Sequence, residues 1–331
     1  MKLRLITEMI RKVWLVLMVL LLAAVADAAP DAAPPLYQQL AGGETEIHVE
    51  KGMTIGRMAA RNGVRWATVV RQNHLKKPFK LNPGMVIKIN NIHIVPAELK
   101  SGNGLVINLP ELNMYHFQSG VCQRRYALAV GKPSWPTPTG TYKIEEKRKN
   151  PIWNVPPSIQ EEMEEMGMEV VEKVPPGPKN PLGKFFMATS ASGVGIHATN
   201  RPWSVGSYVS HGCIRMLPDE ISQLFPQVEV GTPIKIIYRP IKMALTPEGR
   251  VYLEANPNIY QWELQPLDWV KSMAEYYQIE DHIDWSKVPA ILKVKDGIAH
   301  DITKDANAPP PAGSPKEVQL SPLHGKAAKL E

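Results

Sequence analysis

The chain has 331 residues, 44% of them apolar and 21% charged, and a formal net charge of +6. That length suffices for two domains with a sizeable core, and the apolar share is ordinary for a globular protein. The mildly basic balance suits acidic polymers, while 31 prolines imply rigid loops and a loose tail.

At the amino terminus Lys2, Arg4, Arg11 and Lys12 precede an uncharged apolar run from Val13 to Val25, followed by Ala26-Asp27-Ala28. These zones predict a secretory signal peptide over 1–28, cut near Asp27 or Ala29. The run is short for a membrane span, and nothing later in the chain reads as one. Removing the signal leaves a net charge of about +4. Nucleic acid is disfavoured as a partner, because an exported protein rarely meets it.

Residues 29–45 form a linker that includes the small-residue and proline run Pro30 to Pro35. A compact unit over 46–90 follows. Ile47-His48-Val49 alternates as a strand, and Thr54 can cap a helix carrying Ile55, Met58 and Ala59. Trp66 to Asn73 predicts a second helix with Trp66, Val69 and Val70 facing inward, and Met85 to Ile89 returns as a strand after the Asn82-Pro83-Gly84 turn. This βααβ order, with Val49-Glu50-Lys51-Gly52-Met53-Thr54, Asn73 and Asn82-Pro83-Gly84 before Ile87, resembles the LysM module. The resemblance implies a binder of N-acetylglucosamine-containing glycans such as peptidoglycan. Met53 departs from the polar residue usual there.

From Gly104 the chain turns β-rich. Strands are predicted at Leu105 to Leu109, Met114 to Phe117, Tyr126 to Val130, Thr141 to Ile144, around Phe186 and Ile196, and at Thr232 to Tyr238. Asn150 to Asn180 is an acidic insertion closed by Pro175-Pro176-Gly177-Pro178, and Glu161 to Glu165 reads as a solvated helix face. Pro218 to Phe225 fits a short helix. Residues 239–304 form a further subdomain with a strand at Arg250 to Glu254. Its helix over Trp262 to Tyr277 should bury Leu267, Val270, Met273 and Ala274. Residues 305–331 are read as a disordered tail. The predicted fold class is mainly β, with short helices and the small βααβ module.

The segment richest in chemistry is Ser210-His211-Gly212-Cys213-Ile214-Arg215, preceded by Gly195-Ile196-His197. A thiol requires a base or positive charge beside it to become a nucleophile, and a glycine leaves backbone open for an oxyanion hole. The residues therefore point to acyl transfer through Cys213 as a thiol of lowered pKa, with His197 as base. Backbone N–H groups of Gly212 and Cys213 would face the oxyanion. His211 would shape the hole or touch substrate, Arg215 would pair with a carboxylate or a structural partner, and Ser210 and Tyr208 border the groove. Zinc held by His197, His211 and Cys213 is the metal alternative, but the spacing fits no familiar zinc pattern, so no metal or cofactor is expected. A disulfide between Cys122 and Cys213 would block the chemistry and is not favoured.

Trp135-Pro136-Thr137-Pro138-Thr139-Gly140, the proline-glycine motif through Gly183, Ile196-His197 and the Cys213 segment together resemble the L,D-transpeptidase (YkuD) catalytic domain, over 104–238. The proline-glycine motif is similar to the Gram-negative enzymes, which implies a periplasmic, cell-wall-associated location. The resemblance implies a thioester formed on peptidoglycan stem tetrapeptides with loss of D-alanine. An amine then resolves it, from another stem in a 3-3 cross-link or from an outer-membrane lipoprotein. It also implies that the Ala198 carbonyl orients His197. One common form of the motif has Asn at the position of Arg215. An L,D-carboxypeptidase with the same acyl-enzyme, or a wall-binding scaffold without activity, are the alternatives.

Overall fold

The computed structural model describes residues 35–99, 102–262 and 264–305. The expected signal peptide, and the tail apart from Asp305, lie outside the described residues.

After β1 (Leu40–Ala41) the small amino-terminal unit runs β2 (Glu44–His48), α1 (Ile55–Arg61), α2 (Trp66–Gln72) and β3 (Val86–Asn90), ending at β4 (His93–Ile94). Strands β2 and β3 pair antiparallel with Ile47 opposite Ile87. Thr54 caps α1 by accepting from the Arg57 amide at 3.3 Å. Asn73 stitches α2 to β3, donating to the Lys88 carbonyl at 2.7 Å and accepting from its amide at 2.8 Å. Val49, Ile55, Met58, Ala59, Val69, Ile87 and Ile89 form the core. Trp66 corrects the expectation: it stands 52% exposed, its ring 5.9 Å from that of Phe79. As the first residue of α2 it overhangs the module's edge, and Thr68 is buried instead, donating to the Asp296 carbonyl at 2.9 Å.

The β-rich part contains β5 (Gly104–Asn108), β6 (Asn113–Gln118), β7 (Val121–Gly131), β8 (Gly140–Lys149), β9 (Trp153–Asn154), α3 (Pro157–Glu165), β10 (Lys173–Val174), β11 (Phe185–Thr189), β12 (Gly195–His197), β13 (Tyr208–Ser210), β14 (Ile214–Met216), α4 (Pro218–Leu224) and β15 (Pro233–Ile237). A nine-stranded sheet runs β13-β7-β14-β12-β11-β8-β15-β5-β6, and further pairing of β6 with β7 closes it into a barrel. The eleven-residue β7 makes closure possible, because its first half pairs with β6 while its second half pairs with β13 and β14. Inside pack Leu105, Ile107, Leu128, Ile144, Met187, Ile196, Ile214 and Ile234. Val106, on the opposite face of β5, is covered with Val95, Tyr115, Phe117 and Cys122, so this strand is apolar on both faces.

The remaining elements are β16 (Ile241–Leu245), β17 (Val251–Ala255), α5 (Pro266–Tyr276), α6 (Val288–Val294) and β18 (Ala299–Asp301). The three strands form one antiparallel sheet, and Val270, Met273 and Ala274 of α5 pack on its core with Ile291 and Leu292 of α6. Helix α5 starts at Pro266 rather than Trp262, and Leu267 in its first turn is exposed, contrary to the expected face. A buried ion cluster joins the parts: Lys242 on β16 meets Glu111 at 2.7 Å and Glu254 at 3.1 Å. Among the described residues no helix is long and apolar enough to cross a membrane.

Candidate active site

Strands β12 and β14 are parallel neighbours, with Ile196 opposite Ile214 and His197 opposite Arg215. Both isoleucines are fully buried in the barrel core. Side chains alternate along a strand, so Gly195, His197, Cys213 and Arg215 share the opposite face. This register sets the predicted thiol and base on one face of neighbouring strands although the chain leaves the sheet between them. Gly195 is required by close packing, since a Cβ there would come within 2.5 Å of the Phe186 ring.

His197 is 4% exposed, and its Nδ1 lies 2.6 Å from the Ala198 carbonyl oxygen. A carbonyl only accepts, so Nδ1 carries the proton and Nε2 has the free lone pair. Burial, and secondly the charge of Arg215, lower the imidazole pKa to about 4. The ring is therefore neutral at pH 7 and able to accept a proton. The Cys213 Sγ lies 3.5 Å from the Gly193 carbonyl oxygen. Burial raises its pKa, outweighing the Gly195 backbone and the charge of Arg215, which favour the thiolate. This reverses the expected direction: the thiol is not depressed in the resting protein but stands protonated beside a neutral imidazole.

Gly212 has φ +102°, a left-handed conformation that favours glycine. Its carbonyl accepts from Thr137 Oγ1 at 2.8 Å, and the same hydroxyl accepts from the Gly131 amide at 2.9 Å. Across the trans peptide the Cys213 N–H therefore points away from Thr137. Thr137 is 1% exposed, so this one residue of the Trp135–Pro138 motif works as an internal strut. Ser210 is buried and donates to the Cys213 carbonyl, closing the turn rather than bordering a groove. The Tyr208 hydroxyl is turned to the Pro110 carbonyl at 3.0 Å and the Arg65 guanidinium at 3.3 Å, so it links the barrel to the N-cap residue of α2. Arg215 remains on the reactive face, where burial lowers its pKa, followed by the charge of Arg201.

His211 has partners that sequence reasoning missed. Its Nε2 lies 2.6 Å from Glu162 Oε2 and 3.3 Å from Lys132 Nζ, while Lys132 Nζ lies 2.9 Å from Glu162 Oε1. The His211 ring meets Trp135 edge-on at 4.6 Å. Glu162 thus corrects the reading of Glu161 to Glu165 as a purely solvated face. Its carboxyl is held below the usual range, first by Lys132 and also by His211. Lys132 could have been suspected from its place just before the Trp135 motif, but no local signal marks Glu162.

Both cysteines are free, and among the described residues no group of three His, Cys, Asp or Glu is placed to hold a metal. A second concavity, about 340 Å³, lies on the small unit between Met53, Thr54, Trp66, Phe79 and Leu81.

Residues 102–236 match the family model of the L,D-transpeptidase catalytic domain, YkuD, and residues 47–90 match that of the LysM domain. The probable L,D-transpeptidase YcfS of Escherichia coli K12 is 28% identical over 87% of this chain and 94% of its own. The putative L,D-transpeptidase YkuD of Bacillus subtilis 168 is 31% identical over 50% of this chain and 92% of its own. The catalytic domain of an E. faecium L,D-transpeptidase acylated by ertapenem, solved by NMR, is 23% identical, with 42% of this chain and 99% of that domain covered at a TM-score of 0.34.

Proposed function

Because this chain belongs to the L,D-transpeptidase family and carries a LysM domain, we propose that Cys213 performs acyl transfer on peptidoglycan stem tetrapeptides in the periplasm. The observation that carries this reading is the β12–β14 register, which sets a neutral, oriented His197 on the same face as the thiol. His197 Nε2 takes the thiol proton as Sγ attacks the carbonyl between the third and fourth residues of the stem. The tetrahedral oxyanion is met by the Cys213 and Gly212 N–H groups, an interaction of a kind worth about 3–4 kcal/mol per donor in the transition state. Collapse expels D-alanine, whose amine takes the proton back from His197, and leaves a thioester on Cys213. An acceptor amine then attacks the thioester, loses a proton to His197 and releases the thiol with a new amide bond. A stem amine gives a 3-3 cross-link, a lysine of an outer-membrane lipoprotein gives attachment, and water gives the carboxypeptidase outcome. Arg215, fixed on the reactive face, suits a carboxylate of the stem.

The groove walled by Trp66 and Phe79 supports a glycan-binding role for the LysM domain, because an exposed indole face can stack on a sugar ring. Tethering would raise the concentration of stem peptides near Cys213.

The test is incubation of the mature protein with purified tetrapeptide stems and mass analysis of the products, beside intact-mass measurement after exposure to ertapenem. Release of D-alanine, a dimeric product and one adduct mapped to Cys213 are expected, all lost in Cys213→Ala. His197→Ala should slow acylation by about 10²–10⁴-fold, the usual contribution of a general base. An adduct on Cys122, or an unslowed His197→Ala, would sink this pair of roles.

A further inference from the structure

We propose that Lys132 and His211 form a subsite for the terminal carboxylate of the peptide donor, and that Glu162 occupies it here as a tethered substitute. The inference rests on the acyl-transfer reading of Cys213. Its basis is the way one carboxylate is held. The two oxygens of Glu162 go to separate donors, Oε1 to Lys132 at 2.9 Å and Oε2 to His211 at 2.6 Å. That is how a basic pair receives any carboxylate.

The receiving half is built independently of Glu162. Lys132 belongs to the barrel wall, its amide donating to the Ser210 carbonyl at 2.9 Å. Its ammonium stands 5.6 Å from the Trp135 ring centre, against which the His211 ring also packs. The donating half is loosely attached. No residue of α3 is fully buried, and its apolar Ile159 and Met163 are only partly covered, so little apolar contact holds the helix where it is. Both side chains of the Glu162–His211 pair keep about a quarter of their surface in water, at 28% and 24%, where such pairs are weak and exchange readily.

The position suits the donor's own chemistry. His211 stands two residues before Cys213 in one tight turn, and the terminal carboxylate of a tetrapeptide lies one residue beyond the carbonyl that Cys213 attacks. A residue step spans at most about 3.6 Å, so a donor seated at Cys213 carries its carboxylate into this neighbourhood. Glu162 must then leave, and α3 opens as the substrate closes the ion pair in its place.

The experiment measures binding to the inactive full-length Cys213→Ala protein by calorimetry, with a stem tetrapeptide and the same peptide ending in a carboxamide. The carboxylate form should bind more tightly. Glu162→Ala should strengthen that form by about tenfold, the scale of one charge-assisted hydrogen bond, and leave the amide form unchanged. Lys132→Met should erase the preference. Equal binding of both peptides, or Glu162→Ala and Lys132→Met proteins that keep the parental ratio, would overturn the subsite. If that happens while the wild-type protein still releases D-alanine, only the subsite fails. If D-alanine release is absent as well, the acyl-transfer reading fails with it. No residue of α3 is fully buried, so Glu162→Ala should fold normally, and unchanged melting checks this.

Discussion

Lys242→Met tests how the parts are joined. Lys242 has no exposed surface, and its ammonium is shared among Glu111 at 2.7 Å, Glu254 at 3.1 Å and the Ile94 carbonyl. Burial raises the Glu254 pKa, and Lys242 opposes that rise. Methionine matches the bulk but removes the charge, so a carboxyl left behind must take up a proton. With an unfolded Glu pKa of about 4.3, holding one carboxyl neutral at pH 7 costs about 1.36 × 2.7, or 3.7 kcal/mol, and at pH 5 about 1 kcal/mol. The first figure agrees with the roughly 3–5 kcal/mol found when one partner of a buried pair is removed. The sign follows from linkage: a carboxyl with a raised folded pKa binds more protons folded than unfolded, so stability falls as pH climbs through that window. Urea unfolding of wild type and variant, compared at each pH, should show the large deficit at neutrality shrinking towards pH 5. Adding Glu254→Gln should restore most of the loss. A neutral-pH deficit below about 1 kcal/mol, or one equal at both pH values, would refute the argument.

Thr137→Val leaves the Gly131 amide and the Gly212 carbonyl without their buried partner; a loss of about 1–3 kcal/mol in urea unfolding and a lower kcat are expected. Trp66→Ala should cut cosedimentation with insoluble peptidoglycan while barely moving the melting temperature, because the indole is half exposed. With His197 at about 4 and the Cys213 thiol raised, the rate of ertapenem acylation should be flat from about pH 5 to pH 8. An acid limb centred near pH 6.5, the ordinary histidine value, would contradict it.

The parts of this molecule that were readable beforehand depend on near neighbours in the chain. The His197–Ala198 contact, which the family resemblance implied, is between adjacent residues, Thr54 caps the helix it opens, and strands such as Phe185–Thr189 carry apolar runs bounded by turn residues. What escaped depends on distant packing. Glu162 meets His211 across 49 residues, and its helix shows nothing locally but a solvated acidic face. Strand β16 is buried at every position, Lys242 included, so it has neither alternation nor an all-apolar run. Trp66 was misplaced because periodicity ranks faces but does not say where a module ends.

The thiol was the most instructive error. Two histidines near a cysteine suggest a standing thiolate, yet the barrel wall that sets His197 and Cys213 on one face also takes His197 out of water and Cys213 partly so. Desolvation acts on the two groups in opposite directions, raising the thiol and lowering the imidazole, so it stabilises the uncharged pair twice over. The positive charge of Arg215 favours a thiolate but disfavours the imidazolium that must form with it, and so cannot by itself separate the charges. Under the proposed mechanism, charge separation would be drawn out by the substrate, when the developing oxyanion meets the backbone N–H groups and the proton on His197 acquires a departing amine to go to. A thiol kept protonated until then is also a poor target for oxidants, which act on the thiolate. On that reading, the same burial that withholds reactivity from the resting protein would reserve it for an acyl donor seated at Cys213.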